Sequence, residues 1–406
     1  MNRKLLVIIS LATLILAGCW DRVELNDVSI VSGLAVDPGE EKRYMVTIEI
    51  VNAPPFSKQG GGDSAPVITF TLEGDTMAEI LQRMNIGVTR QLIFSHTRVL
   101  FISEEIARQG VIGFLEYLER SGEFRNDFNI LITRGKPARD FLKITYPLQK
   151  IPSMKVHKQI QTFVKEWGGD PNIRLTDFVS AITSQGRTPV TGSVILKGDV
   201  NKGATNENNT NLEPKALVEM EGIAVFDNEK LKGFLTLEES RNYFWTQELE
   251  ETTLSIPCDD GEEEGENYNA LKVVHTHSKI NVEYRGSQPV VKVQVNADTE
   301  LLTTQCRKDL TQLQTYKEYE RDAGKYVAEN IRNTIIKVQD EFGVDIYGFG
   351  EALHRSDNKK YKQVKDDWNE EFRRADVEVD VDIFLRRSGI RTKSFLTDLP
   401  KTEENE

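Results

Sequence analysis

The residue whose chemistry is easiest to interpret lies near the start of the chain, where a cysteine follows a short apolar run. Arg3 and Lys4 make a positive stretch, and residues 5–16 form the apolar run. A run of about a dozen residues is too short to cross ~30 Å of hydrocarbon as a stable helix, and it has the proportions of a cleaved secretory signal. The usual cleavage site is A-x-A-like, whereas here small residues stand directly before the thiol of Cys19.

Leu16-Ala17-Gly18-Cys19 resembles the lipobox of bacterial lipoproteins. In signals of that class the chain is cut before the cysteine, whose sulfur takes a diacylglycerol and whose new amino group is acylated. We therefore predict a signal peptide over residues 1–18, cleavage between Gly18 and Cys19, and lipidation of Cys19. Two or more acyl chains anchor a protein stably, so the rest of the chain is expected to be held at a membrane surface. The alternative is an ordinary signal peptide with a chance cysteine.

Two further cysteines, Cys258 and Cys306, complete the set. The compartment outside the cytoplasm permits disulfides, so these two could pair. Sequence does not show whether their Cα atoms come within bonding range, and the pairing stays open. The sequence has no Cys-x-x-Cys, which argues against a thioredoxin-like site and against a zinc ribbon.

Motifs for catalysis and for cofactor binding are missing from the sequence. It contains no Gly-x-Ser-x-Gly, His-Glu-x-x-His, Walker or Rossmann pattern, and the Gly-Phe-Gly at 348–350 lacks a third glycine. The acidic stretch 258–267 lacks the ligand spacing of an EF-hand, and His275 and His277 have no third ligand at a recognisable spacing. We therefore expect no enzyme activity, no cofactor and no metal site.

The composition is that of a globular protein with an acidic surface. The length of 406 residues suggests two or three domains, and 51 basic against 64 acidic side chains give a formal net charge of −13. An acidic chain argues against nucleic-acid binding, which needs a basic surface, and against electrostatic adhesion to anionic lipid.

Strands and helices are predicted in a mixed order. Residues 28–36, 44–50, 280–284 and 291–297 have the pattern of strands, and 377–385 gives the cleanest alternation of apolar and charged residues. The longest helix is predicted over 317–342, with Gly343 as its stop. The absence of regular β-α-β alternation predicts an α+β fold, with mostly antiparallel or mixed sheets packed by helices.

Several stretches resemble the C-subunit lipoproteins of bacterial spore germinant receptors. They are the start of the mature chain, a strand entrance, a hairpin and the closing segment, and together they extend the resemblance from 19 to about 391. The matching residues are Cys19, Trp20, Asp21, Glu24, Leu25, Asn26 and Asp27, then His96 and Arg98, then Gly222, Ala224, Phe226, Lys230, Leu231 and Gly233, and finally Asp345, Gly348, Phe349, Gly350, His354, Trp368 and Phe372.

The resemblance implies a three-domain α+β ectodomain on the outer face of the spore inner membrane, in a complex with integral-membrane A and B subunits. No catalytic residues are known for the family as a class, so only lipidation at Cys19 carries over. The implied function is a non-catalytic subunit of a nutrient receptor for spore germination. For His96, a hydrogen-bonded structural role is favoured over catalysis. The polar stretch 199–214 has no counterpart whose length we can match.

The sequence divides at this polar stretch. We predict an N-terminal region over 19–198 with a break near 150, a linker or loop over 199–214, a C-terminal α+β domain over 215–395 and an acidic tail over 396–406. Two other functions stay open. A solute-binding lipoprotein of a transporter would favour parallel sheets around a cleft, and an exported enzyme would show a pocket with convergent polar groups.

Overall fold

A computed structural model describes residues 27–52, 65–168, 173–249, 251–258 and 267–387. The predicted signal peptide, Cys19 and the predicted acidic tail lie outside the described residues. The strands are β1 Val28–Pro38, β2 Tyr44–Val51, β3 Val67–Gly74, β4 Gln91–Ile93, β5 Val99–Ser103, β6 Asn129–Arg134, β7 Val190–Gly198, β8 Ala216–Asp227, β9 Lys230–Thr236, β10 Thr252–Pro257, β11 Tyr268–Arg285, β12 Gln288–Thr304 and β13 Asp376–Arg387.

The helices are distributed along the whole described chain, and among them none is long and apolar enough to cross a membrane. The α-helices are α1 Met77–Met84, α2 Glu104–Gln109, α3 Ile112–Arg120, α4 Ala138–Phe141, α5 Pro152–Trp167, α6 Leu175–Thr183, α7 Val200–Gly203, α8 Glu207–Thr210, α9 Leu237–Trp245, α10 Leu313–Lys337, α11 Phe349–Ser356, α12 Asn358–Val364 and α13 Trp368–Arg373. A π-helical turn, Val338–Phe342, continues α10, and a 3₁₀ turn, Lys365–Asp367, precedes α13.

The N-terminal half of the chain builds a nine-stranded mixed sheet. Its strand order is β3-β2-β1-β5-β6-β7-β8-β9, and β4 pairs with the start of β1. Strands β1, β5, β6 and β7 are mutually parallel, whereas the outer strands on both sides join antiparallel. The predicted α+β class with mixed sheets is confirmed.

The parallel centre of this sheet is not indicated by alternation of polar and apolar residues. Strand β5 is buried along its whole length because side chains pack on both of its faces. Leu100 and Ile102 belong to the core on one face, and Val99 and Phe101 belong to the core on the other. Strands that are covered on both faces have continuous apolar sequences, which is typical of parallel strands.

The C-terminal half builds a four-stranded sheet in the order β10-β11-β12-β13. Strands β11 and β12 form a long antiparallel hairpin, and the strands predicted at 280–284 and 291–297 are parts of it. Strand β13 pairs parallel to β12 and confirms the strand predicted at 377–385.

The longest helix, α10, packs along β13. It begins somewhat earlier than predicted, and the π-helical turn after it ends at Gly343, whose φ of 64° fits the predicted stop. A Cβ on Gly324 would lie 2.5 Å from the carbonyl oxygen of Val381, so the helix approaches the strand backbone closely. Glu320 also accepts the backbone N–H of Leu385 at 2.8 Å. The helix thereby covers a strand that would otherwise offer an open edge.

The hairpin of β8 and β9 belongs to the first sheet, although residues 215–395 are predicted to form the C-terminal domain. Strand β8 pairs with β7 along nearly the whole of β7. Asn228 lies in the turn between β8 and β9 and has a φ of 51°. Two antiparallel strands alone are marginally stable in water, and here the hairpin is completed by joining a larger sheet.

The predicted linker at 199–214 contains the two short helices α7 and α8. Asn208 is buried there, and its amide donates to the carbonyl of Thr145 at 2.8 Å and to that of Ala216 at 3.0 Å. Its side-chain oxygen accepts the N–H of Ala216 at 3.0 Å. The buried asparagine thus helps to fix a stretch whose composition is otherwise that of a loop. The division of the chain at this stretch stays a prediction.

Candidate functional site

Asp345 opens the Asp-Ile-Tyr-Gly-Phe-Gly stretch and lies fully buried where the two halves meet. One carboxylate oxygen accepts the N–H groups of Tyr347 and Gly348, both at 2.9 Å. The other accepts the N–H of Gly350 at 2.8 Å and the indole N–H of Trp368 at 2.9 Å. The side chain therefore satisfies backbone donors at the start of α11, which have no partner within the helix, and it ties this loop to Trp368.

Burial dominates the electrostatics of Asp345. It raises the pKa of this carboxyl group to about 6, although the hydrogen bonds from Gly350 and Trp368 favour the charged form. The group has no solvent access, so a proton exchange with a substrate would require the loop to open. The arrangement is suited to holding the loop in one conformation.

A segment of the N-terminal half, residues 184–188, lies against this loop. Thr188 donates its N–H to the carbonyl oxygen of Asp345 at 2.7 Å and its hydroxyl to the same oxygen at 3.2 Å. Ser184 donates its hydroxyl to the carboxylate of Glu351 on α11. The two halves are therefore joined by hydrogen bonds that use both backbone and side chains.

Two cavities flank this junction, and Arg187 lines both of them. The larger, of about 460 Å³, has Asp366, Asp367 and Glu370 in its wall and contains no histidine or cysteine among its lining residues. The smaller, of about 140 Å³, is lined also by Tyr243. Four of the fourteen residues that line the larger cavity are carboxylates, and Arg187 and Lys365 add positive charge to the same wall.

Helix α5 makes a second connection between the halves. Its last residue, Trp167, accepts the hydroxyl of Thr252 at the start of β10 through its carbonyl oxygen, at 2.7 Å. The guanidinium of Arg241 lies 4.9 Å from the centre of the indole ring, within cation–π range. The opposite end of the helix is fixed to the first sheet, so one rigid element contacts both sheets.

Glu49 lies beneath the first turn of α5 and is fully buried. It accepts the hydroxyl of Ser32 at 2.6 Å, the backbone N–H of Ser153 at 3.2 Å and also the hydroxyl of Ser153. Burial raises the pKa of this carboxyl group to about 7, against the effect of the three hydrogen bonds. A buried carboxyl group thus fixes the start of α5 to β1 and β2.

The burial of Glu49 is not predicted from the sequence, for a clear reason. In β2 the apolar residues alternate with polar ones, and such a pattern predicts that the polar positions face water. Here α5 covers that face, so the polar position is buried. No spacing in the sequence marks it.

The histidines do not form a metal site with other ligands in the described part of the chain. His96 is exposed at the entrance of β5 and bonds to the hydroxyl of its neighbour Ser95 at 3.2 Å. Both His275 and His277 are exposed on β11, and His277 contacts the carboxylate of Glu248 at 3.3 Å.

Cys258 and Cys306 form a disulfide, with their Cα atoms 6.4 Å apart. This distance lies within the usual range for such bonds. The pairing that the sequence left open therefore links the residue after β10 to a buried position after β12. Cys19 lies outside the described residues, and its lipidation stays a prediction.

Comparison with known proteins gives matches along almost the whole chain. Residues 21–196 match the family described as the spore germination protein N-terminal domain, and residues 221–389 match that described as spore germination B3/GerAC like, C-terminal. Spore germination protein KC of Bacillus subtilis (strain 168) is 28% identical over 400 residues, which are 96% of this chain and 97% of that protein. Spore germination protein B3 of the same organism is 23% identical over 381 residues, covering 93% and 95%.

A solved structure, described as the crystal structure of the GerBC protein, shares the fold. It superposes with a TM-score of 0.53 at 17% sequence identity, and the match covers 87% of this chain and 97% of that one. The resemblance drawn from the sequence motifs is confirmed by these matches. Since the two family regions together cover most of its residues, the chain belongs to the spore germination B3/GerAC-like protein family.

Proposed function

We propose that this chain is the lipid-anchored C subunit of a germinant receptor and is required for nutrient-triggered spore germination. The observation that carries this proposal is the match to both regions of the family, in a chain that also aligns with nearly the full length of spore germination protein KC. A match to only one of the two regions would support this function much less.

The anchor in this proposal is Cys19. Cleavage between Gly18 and Cys19 would leave an acylated cysteine as the first residue, and the described body would stand on the extracytoplasmic face of the spore inner membrane. The lipobox-like sequence supports this placement. The described helices, none of which could span a bilayer, are compatible with it.

The mode of action we propose is assembly and signal relay without catalysis, in a complex with integral-membrane A and B subunits. Support comes from the junction of the two halves, where carboxylates at Asp345 and Glu351 are used to join segments. We keep the division into regions 19–198 and 215–395 as part of this proposal.

Deletion of the gene in the sporulating host tests the proposal. We expect spores to lose germination with some nutrients while germinating normally with a non-nutrient trigger, and a wild-type copy should restore the response. A Cys19→Ala copy should release the protein from the membrane fraction and restore germination poorly. Normal germination of the deletion spores with every nutrient, together with failed uptake of a solute, would replace the receptor by a solute-binding lipoprotein.

A further inference from the structure

The loop between α1 and β4, residues 85–90, contains an exposed isoleucine and shares a groove with the first described residue, Asp27. Ile86 is 85% exposed, and Asp27 lines the same groove as the loop. Most of the loop is exposed, and Val88 is half-buried. Single exposed apolar side chains are common on protein surfaces, so the position of Ile86 relative to the predicted anchor at Cys19 is what matters.

The loop is held in place by its neighbours. The side-chain oxygen of Asn85 accepts the N–H of Leu92 at 3.0 Å. Gly87 packs on Phe70 so closely that a Cβ there would lie 2.5 Å from the ring. These contacts fix the backbone on both sides of Ile86, whose side chain is exposed.

Chain length places this loop close to the anchor. Eight peptide units separate Cys19 from Asp27, and a fully extended chain of that length reaches at most about 28 Å. Since β4 pairs with the first residues of β1, the loop lies at the end of the sheet that is nearest to the anchor.

Two other exposed leucines lie at the opposite end of the sheet. Leu148 follows the end of α4, and Leu212 lies in the stretch after β7. Thr145 accepts a hydrogen bond from Asn208 and thereby connects the two loops. The loops with these leucines follow the carboxyl ends of parallel strands. Asp27 lies at the opposite end of the sheet, before the amino end of β1.

We propose that the loop 85–90 contacts the lipid surface and that Ile86 inserts among the lipid head groups. This inference rests on the proposed lipidation of Cys19. Arg90 is exposed in the same loop, and no ion-pair partner is seen for it within the described part of the chain. Asp27 and Glu123 stand in the same groove, so apolar insertion is the main attraction and anionic lipid is not required. A stable acyl anchor combined with such a contact fixes the orientation of the body.

Photocrosslinking tests this contact with the complete mature chain. Cys19 is coupled to a maleimide-headgroup lipid in phosphatidylcholine vesicles, while the disulfide protects Cys258 and Cys306 from coupling. A p-benzoylphenylalanine residue is placed at position 86 in one variant and at position 212 in the matched control. Both sites are exposed, so neither substitution disturbs the core.

We expect lipid adducts from position 86 and only background adducts from position 212. Equal yields at the two sites would overturn the proposal. In spore membranes, a crosslink from position 86 to a protein and not to lipid would also overturn the proposal. Because the tether is chemical, this result is independent of acylation in the cell, which mass spectrometry of the mature amino terminus tests separately.

Discussion

Gly186 and Gly350 touch through their backbones at the junction of the two halves. A Cβ on Gly350 would lie 2.5 Å from the Cα of Gly186 and 2.7 Å from the indole nitrogen of Trp368. Neither neighbour can easily move, because one is backbone and the other is held by Asp345. The absence of a side chain at position 350 therefore allows the halves to approach this closely.

Substitution Gly350→Ala should weaken this junction. The added methyl group must displace a backbone segment, and such overpacking typically costs about 1–3 kcal/mol of the free energy of unfolding. Chemical denaturation measures that loss, and hydrogen exchange should show faster exchange in residues 184–188. Gly135→Ala is the control for destabilisation elsewhere, because its φ of 69° strains an alanine while the added Cβ would meet no atom within 4 Å. Similar exchange at 184–188 in both variants would contradict the prediction.

Substitution Asp345→Asn should also destabilise the junction. An amide keeps the size of the side chain, but its NH₂ group replaces one of the two acceptor oxygens. The NH₂ group would then face N–H donors that it cannot accept. Leaving buried donors unpaired costs about 1–3 kcal/mol each. Asp366→Asn is the matched control, because Asp366 lines the larger cavity at this junction and its side chain is 86% exposed. Equal denaturation midpoints for the two variants would show that the buried bonds contribute nothing.

The sequence predicts the elements with strong periodicity and misses those whose burial depends on a distant partner. The alternation at 377–385 predicts β13, and the apolar stripe at 317–342 predicts α10, because one face of each element is buried. The hairpin of β8 and β9 is also predicted as a hairpin. Its membership of the first sheet is not, since pairing with β7 is a tertiary choice that leaves no local pattern.

The junction itself is only partly visible in the sequence. The motif around Asp345 is found by its resemblance to the family, and its loop geometry follows from Gly348, whose φ is 79°. Gly186 stands in an ordinary turn-like sequence, and its contact with Gly350 arises only when the halves meet. A pattern within one segment cannot show a contact between two segments.

Loss of the disulfide should destabilise the C-terminal sheet. The two cysteines are 48 residues apart in sequence, and a crosslink across a loop of this size is worth about 2–4 kcal/mol. The double variant Cys258→Ala with Cys306→Ala should therefore denature at lower urea concentration than the oxidised protein. Wild-type protein kept in reducing agent provides the control and should behave like the variant. Alkylation of both thiols in native, unreduced protein would show that the bond does not form.

Glu49 predicts a specific dependence of stability on pH. Its pKa is raised from an ordinary value of 4.5 to about 7 in the folded chain, so between these values the folded state binds more protons than the unfolded one. Stability from this group is therefore fully present below pH 4.5 and is lost as the pH rises through about 7. A shift of this size corresponds to about 3 kcal/mol.

Substitution Glu49→Gln isolates this contribution. The amide cannot ionise, so the variant should lack the fall in stability that Glu49 adds to the wild-type profile between pH 4.5 and 7. The amide oxygen can still accept the N–H of Ser153, and the NH₂ group can donate to the hydroxyls of Ser32 and Ser153, so we expect little loss that is independent of pH. Asp345, whose pKa is raised to about 6, contributes in the same direction in both proteins and cancels in the comparison. The measurement is urea denaturation at closely spaced pH values, and parallel profiles for the two proteins would refute a buried, titrating Glu49.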